Sequence, residues 1–209
     1  VPVLALVLFV AFVLLAGVAR ALIQQRRNDD TGIRARASIP AQQQARSVLV
    51  TGTVLVGIAA PVADLVGLDA IGFLDHTAVR LTGAGIAVLT LILVLGAQSA
   101  MGASWRNDVD PEESTALVTG GPFALIRNPI YTATLVFVLG IALVVPNYLA
   151  LVGGAACLLG LQLQVRRVEE PYLRRVHGSP YHQYCASTGR FLPVIGRVRV
   201  PEAEADQSA

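Results

Sequence analysis

Long uncharged stretches alternate with short polar ones along this chain, and the alternation predicts a bundle of membrane-crossing helices. Residues 1–19 carry no charge and approach the roughly 20 apolar residues that a bilayer-spanning helix needs. A signal peptide is the other reading of this stretch. It is not favoured, because no basic region precedes the stretch and no small-residue cleavage site follows it. Residues 48–63, ending near Pro61, and residues 81–104 predict a second and a third span. Residues 128–165 are uncharged throughout and long enough for two spans, with Pro146-Asn147 as the natural turn between them. The expected fold class is therefore all-α. It is a polytopic bundle of about five transmembrane helices, the last two a hairpin, followed by a short helical segment.

Composition agrees with that pattern. Of 209 residues, 54% are hydrophobic and 14% charged, well below the roughly one quarter charged of soluble domains, and the mean hydropathy is +0.62. A net charge of +2 gives no reason to expect nucleic acid as a partner. All sixteen basic residues are arginine, which points to a GC-rich, hence bacterial, genome. Cys157 and Cys185 show no metal-ligand or redox spacing, and Cys157 lies in an apolar run as a packing residue would.

Loop charges set an expected orientation. The segment after the first span carries Arg20, Arg26, Arg27, Arg34, Arg36 and Arg46, and the tail after the last span carries Arg166, Arg167, Arg174, Arg175, Arg190, Arg197 and Arg199. The segment after the second span carries Asp64, Asp69 and Asp75 against Arg80. The positive-inside rule places both arginine-rich segments in the cytoplasm. The N-terminus is then outside, the C-terminus inside, and the loop of residues 101–127 cytoplasmic. The expected location is a bacterial cytoplasmic membrane. The last residues, "PEAEADQSA", read as a disordered acidic tail.

Chemistry is sought on that inner side. "GGPFALIRNPIY", residues 120–131, reads as a helix start, with Asn128 as N-cap and Pro129 as the first helical residue. A helix N-terminus suits an anion, and Arg127 adds a full positive charge beside it. Gly120 and Gly121 permit close backbone approach to a ligand. The plainer reading is a cap with a snorkelling arginine. A second polar cluster follows the last span, "VRRVEEPYLRRVHGSPYHQYCASTGRFLP". Glu169 and Glu170 are adjacent carboxylates there, and Arg166 and Glu170 have the spacing of a simple helix-face pair. Tyr172, Tyr181 and Tyr184 offer aromatic surface or interfacial anchors. His177 and His182, five apart, do not share a helix face as metal ligands would, so no metal is expected. His76 falls on the outer side.

Taken in order, these residues resemble the isoprenylcysteine carboxyl methyltransferase family and, more broadly, phospholipid methyltransferase-like membrane enzymes. The elements are a Gly-Pro-aromatic turn before Arg-x-Pro-x-Tyr, a helical hairpin, Glu-Glu, His-Gly, Tyr-x-x-Tyr and Arg-Phe-x-Pro. The resemblance covers residues 118–193. It implies an integral membrane methyltransferase that uses S-adenosylmethionine and takes a lipophilic acceptor from the bilayer, such as the carboxylate of a prenylated cysteine. It implies a division into residues 1–117 (three spans and a basic loop), 118–199 (the methyltransferase core) and 200–209 (the tail). The residues implied for the cofactor are Gly121, Pro122, Arg127, Asn128, Tyr131, Glu169, Glu170, Leu173, Tyr181 and Tyr184, with Arg190 and Glu170 in catalytic roles. The family reads Arg-His-Pro-x-Tyr where this chain has Asn128, which can cap and hydrogen-bond but cannot titrate. Two other classes stay open at this level: a sterol-type membrane reductase using NADPH, and a non-catalytic membrane protein.

Overall fold

The computed structural model describes residues 1–33, 39–106, 109 and 116–198. The stretch expected to be a disordered tail, 200–209, lies outside the described residues, as do Arg34, Arg36 and Arg199. The helices are α1 (Pro2–Asn28), α2 (Pro40–Leu65), α3 (Thr77–Met101), α4 (Pro122–Leu125), α5 (Pro129–Val144), α6 (Tyr148–His177) and α7 (Ser179–Ser187). Among the described residues the only β-type pairing is a bridge between Ile126 and Gly189. The expected all-α class holds.

Among the described residues, four helices are long and apolar enough to cross a membrane: α1, α2, α6, and α3 with its 3₁₀ extension to Ser104. The predicted fourth span is shorter. Helix α5 has 16 residues, about 24 Å at 1.5 Å per residue, against a hydrocarbon core of about 30 Å. The other spans outrun their uncharged runs because polar turns continue the helix. α1 extends nine residues past Ala19 through Arg20–Asn28, and α2 begins at Pro40, where proline suits a first helical position. Pro61 lies within α2 rather than at its end. It follows a π-wound turn, Leu55–Ala59, where the α ladder is already interrupted.

Close approach of backbones holds the bundle together. α3 meets α5 at Gly83 and Gly140, where a Cβ on either would come within 2.6–2.8 Å of the other's carbonyl oxygen. α2 meets α6 at Gly52 and Gly153 in the same way. Small residues at such crossings replace the hydrophobic drive that lipid does not supply. All five long helices meet in one core of Ala5, Leu8, Val56, Ala60, Ala87, Phe137, Ile141, Val144 and Ala150, and Phe12 stacks on Phe137. Leucines, valines and isoleucines cover the outward faces, as lipid contact requires.

The α5–α6 hairpin forms at the predicted turn. Asn147 Oδ1 accepts from the Ala150 amide, capping α6, and Asn147 Nδ2 donates to the Ala60 carbonyl. Arg80 donates to the Val144 carbonyl and pairs with Asp75 and Asp64. At the opposite end of the bundle, the arginine-rich end, α4, α7 and residues 188–198 close over the ends of α3, α5 and α6.

Candidate active site

The segment ending in Asn128 does not stand alone. Its backbone zips onto the C-terminal segment: the Arg127 amide donates to the Gly189 carbonyl at 2.8 Å and the Asn128 amide to the Arg190 carbonyl at 3.1 Å. Asn128 occupies the N-cap position of α5, yet its side chain does not cap. Nδ2 donates instead to the Arg190 carbonyl at 3.0 Å, while Thr132 Oγ1 donates to the Phe191 carbonyl. The first turn of α5 therefore keeps its N-terminal amides free of any side-chain cap. The reason for this winding is local: Gly121 takes φ +59°, a conformation that favours glycine, and turns the chain into α4.

Arg127 is the centre of this closure. It is only 6% exposed. Nη1 donates to the carbonyls of Cys185 and Thr188, and Nη2 to the Gly196 carbonyl and Glu170 Oε1. Glu170 is 4% exposed. It accepts from Arg190 through both oxygens, at 2.6 and 2.9 Å, and Arg174 approaches it at 3.6 Å. The helix-face pairing of Arg166 with Glu170 is not what forms: Arg166 turns back to Gln162. One carboxylate thus holds two arginines from distant segments, in the forked geometry that suits guanidinium. Hydrogen bonding to Glu170 pushes the Arg190 pKa still higher than usual.

Glu169, one residue earlier, faces elsewhere. Its carboxylate accepts from the Tyr131 hydroxyl of α5 and from Gln164 Nε2. The π-wound stretch Gln164–Glu169 sets the two neighbours apart, a winding common at functional sites. Glu169 thereby reaches a cavity of about 280 Å³ that Glu170 does not line.

That cavity is built from the end of α3, the start of α5, the end of α6 and α7. Seven of the ten residues implied for the cofactor line it: Arg127, Asn128, Tyr131, Glu169, Leu173, Tyr181 and Tyr184. Gly121, Pro122, Glu170 and Arg190 are not among its lining residues. Gly121 shapes the turn, Pro122 starts α4, and Glu170 with Arg190 forms the ion-pair cluster beside the cavity. Tyr184 donates to the Phe123 carbonyl at 2.6 Å, and its ring meets Tyr181 edge-on. Burial pushes the Tyr184 phenol up to about 12 and the Tyr181 phenol higher still, so both stay neutral donors. Burial also pushes the Cys185 thiol up. Both cysteines are free. Among the described residues no group of three or more His, Cys, Asp or Glu is arranged to hold a metal.

Sequence reasoning passed over part of the wall. Gln98, Met101, Ser104 and Trp105, at and beyond the end of α3, also line the cavity. They sit at the end of an apolar run, so only their spatial neighbours reveal them. The cavity also crosses the expected boundary at residue 117, drawing lining residues from both sides of it. Two of its side chains carry buried polar atoms with no hydrogen-bond partner among the described residues, Arg127 Nε and Gln98 Oε1.

Comparison with known proteins bears on this geometry. Residues 79–180, from the start of α3 to the start of α7, match the family model described as phospholipid methyltransferase. The matched stretch is just under half of the chain. The match begins earlier than the resemblance read from motifs and stops before Gly189–Arg190. The fold is shared with a solved structure of the eukaryotic intramembrane Ras methyltransferase isoprenylcysteine carboxyl methyltransferase. The likeness has a TM-score of 0.60 at 21% identity and covers 91% of this chain and 67% of that one. No curated protein matches significantly. The family match and the shared fold together support a membrane methyltransferase.

Proposed function

We propose that the cavity binds S-adenosylmethionine and that the chain transfers its methyl group to a lipophilic acceptor reached from the bilayer. The observation that carries this reading is that one cavity presents both signs of charge to a zwitterion. On the cationic side are the uncapped first turn of α5 and the unpartnered Arg127 Nε, which suit a carboxylate. On the anionic side is Glu169, which suits an ammonium or ribose hydroxyls. Leu173, Tyr181 and Tyr184 supply apolar and aromatic wall for an adenine.

When bound, this cofactor supplies an electrophilic methyl group on a sulfonium. The protein's own part is positioning and exclusion of water. Tyr131 and Gln164 fix the Glu169 carboxylate. The Arg127–Glu170–Arg190 cluster locks residues 188–196 over the site, so that the ends of α5 and α6 keep one geometry. In-line transfer to an already ionised acceptor needs no general base, and holding the partners at near-attack distance is worth up to about 7–11 kcal/mol. Neither Asn128 nor any histidine has to titrate. The acceptor we favour is a carboxylate on a prenylated cysteine or a similar lipophilic group, on the strength of the shared fold.

The test is calorimetry on the full chain in detergent. S-adenosylhomocysteine should bind the wild type, and Glu169→Gln should weaken binding about tenfold, the loss of one charge-assisted hydrogen bond, at unchanged melting temperature. A folded wild type that binds NADPH but not S-adenosylhomocysteine would overturn the proposal.

A further inference from the structure

Gln98 lies in the apolar interior of α3, 5% exposed, where a buried polar group carries a cost unless it is satisfied. Half of it is satisfied. Nε2 donates to the Ala16 carbonyl of α1 at 2.8 Å, within the π-wound stretch Val13–Ala19, where the helix ladder is interrupted. That bond fixes the amide plane and leaves Oε1 buried without a partner, on a side chain that lines the cavity. The same end of α1 braces the neighbouring wall. Arg20 Nη2 donates to the Gly102 carbonyl and Gln24 Nε2 to the Ala103 carbonyl. The Arg20 guanidinium lies 4.9 Å from the Trp105 ring centroid. Asp30 pairs with Arg106 at 3.1 Å. These contacts come from α1 and the residues just after it, all outside the residues 79–180 matched by the family model.

We propose that Gln98 is an additional ligand-binding residue, its Oε1 held by α1 to accept a hydrogen bond from an N–H or O–H donor of the bound methyl donor. This rests on the reading of the cavity given above. A plain structural role for Gln98 would be met by its bond to Ala16 and would not need an acceptor left open beside the cavity. Two parts of the ligand offer suitable donors: the ammonium of its amino-acid portion, and the hydroxyls or amine of its adenosine.

The experiment is calorimetry on the full chain in detergent, for wild type, Gln98→Leu and Gln98→Glu. The probes are S-adenosylhomocysteine and methylthioadenosine, which lacks the amino-acid portion. Fluorescence of Trp105, the one tryptophan, and the melting temperature report on the fold. Gln98→Leu is expected to weaken S-adenosylhomocysteine about tenfold, while Gln98→Glu, which keeps an acceptor but cannot donate to Ala16, retains more of the affinity. Loss confined to S-adenosylhomocysteine supports a bond from the ammonium, and equal loss with both probes supports one from the adenosine. Wild-type affinity for both probes in Gln98→Leu overturns the inference alone. So does an equal loss in both variants that tracks a fall in melting temperature, because the bond to Ala16 would then be its whole role. A folded wild type that binds neither probe defeats the methyl-donor reading, and this inference falls with it.

Discussion

Two adjacent glutamates divide the labour. Glu170 ties Arg127 to Arg190, and removing one partner of a buried ion cluster typically costs about 3–5 kcal/mol, because the other charges are left uncompensated. Glu170→Gln should therefore lower the melting temperature markedly, and any loss of ligand should follow the loss of fold in a thermal-shift titration. Glu169→Gln should do the reverse. Asn128 makes a third case. Its Nδ2 donates to the Arg190 carbonyl, a bond that a carboxylate in its place would turn into repulsion. Asn128→Asp should destabilise the closure by about 1–3 kcal/mol, measured by chemical denaturation, while Asn128→His, which restores the family residue and keeps a donor, should be tolerated. The residue type at this position matters here as a donor to the chain and not as a proton carrier.

At the scale of elements, the C-terminal helix α7 is held by neutral phenols. Tyr184 is buried with its hydroxyl on the Phe123 carbonyl, and its pKa is raised to about 12 in the folded chain, against about 10 unfolded. The raised folded value means that the folded state retains a proton which the unfolded state loses. Stability from this group is thus complete below about pH 10 and falls as the pH rises toward 12. Thermal melts across that range should show a progressive loss, and Tyr184→Phe should make the curve shallower while lowering its plateau at neutral pH. Short α5 raises a different question, since its 16 residues fall short of a bilayer. Its partner α3 and the hairpin to α6 compensate: Gly83 and Gly140 let α3 and α5 touch backbone to backbone, so α5 need not meet lipid on every side.

Across the whole molecule, the cavity shares one end of the bundle with the described arginines at the end of α1, Arg20, Arg26 and Arg27, and those after the last span, Arg166, Arg167, Arg174, Arg175 and Arg190. By the positive-inside rule we propose that this end faces the cytoplasm, where S-adenosylmethionine is made. A reporter enzyme fused to the C-terminus should be active only as a cytoplasmic reporter, and one fused to the N-terminus only as an extracytoplasmic one. The opposite pattern would place the cavity on the wrong side for its proposed cofactor. α1 belongs to this scale as well, since Arg20, Gln24 and the Ala16 carbonyl brace the end of α3. The N-terminal helix is therefore part of the site's frame and not only a membrane anchor.

How far the sequence alone reached can be seen in particular residues. Uncharged run length located the spans, because crossing lipid is a one-dimensional requirement that composition satisfies or fails. Turn and helix-start chemistry likewise marked Pro129 as a first helical residue and Pro146-Asn147 as a turn. The paired clusters around Arg127 and Glu169–Glu170 were visible as polar residues out of place at the ends of greasy helices. Which carboxylate faces the cavity was not visible, since neighbours in sequence diverge by about 100° on a helix and a π-wound turn shifts that angle further. The sequence suggested Glu170 and Arg190 as chemistry, and the fold pairs them with each other beside the cavity. Gln98 was hidden for the converse reason: an uncharged amide inside an apolar run looks like filler until α1 takes its donor and leaves its acceptor open. Residue type decided what each side chain could offer, and only tertiary packing decided which of those offers were already taken.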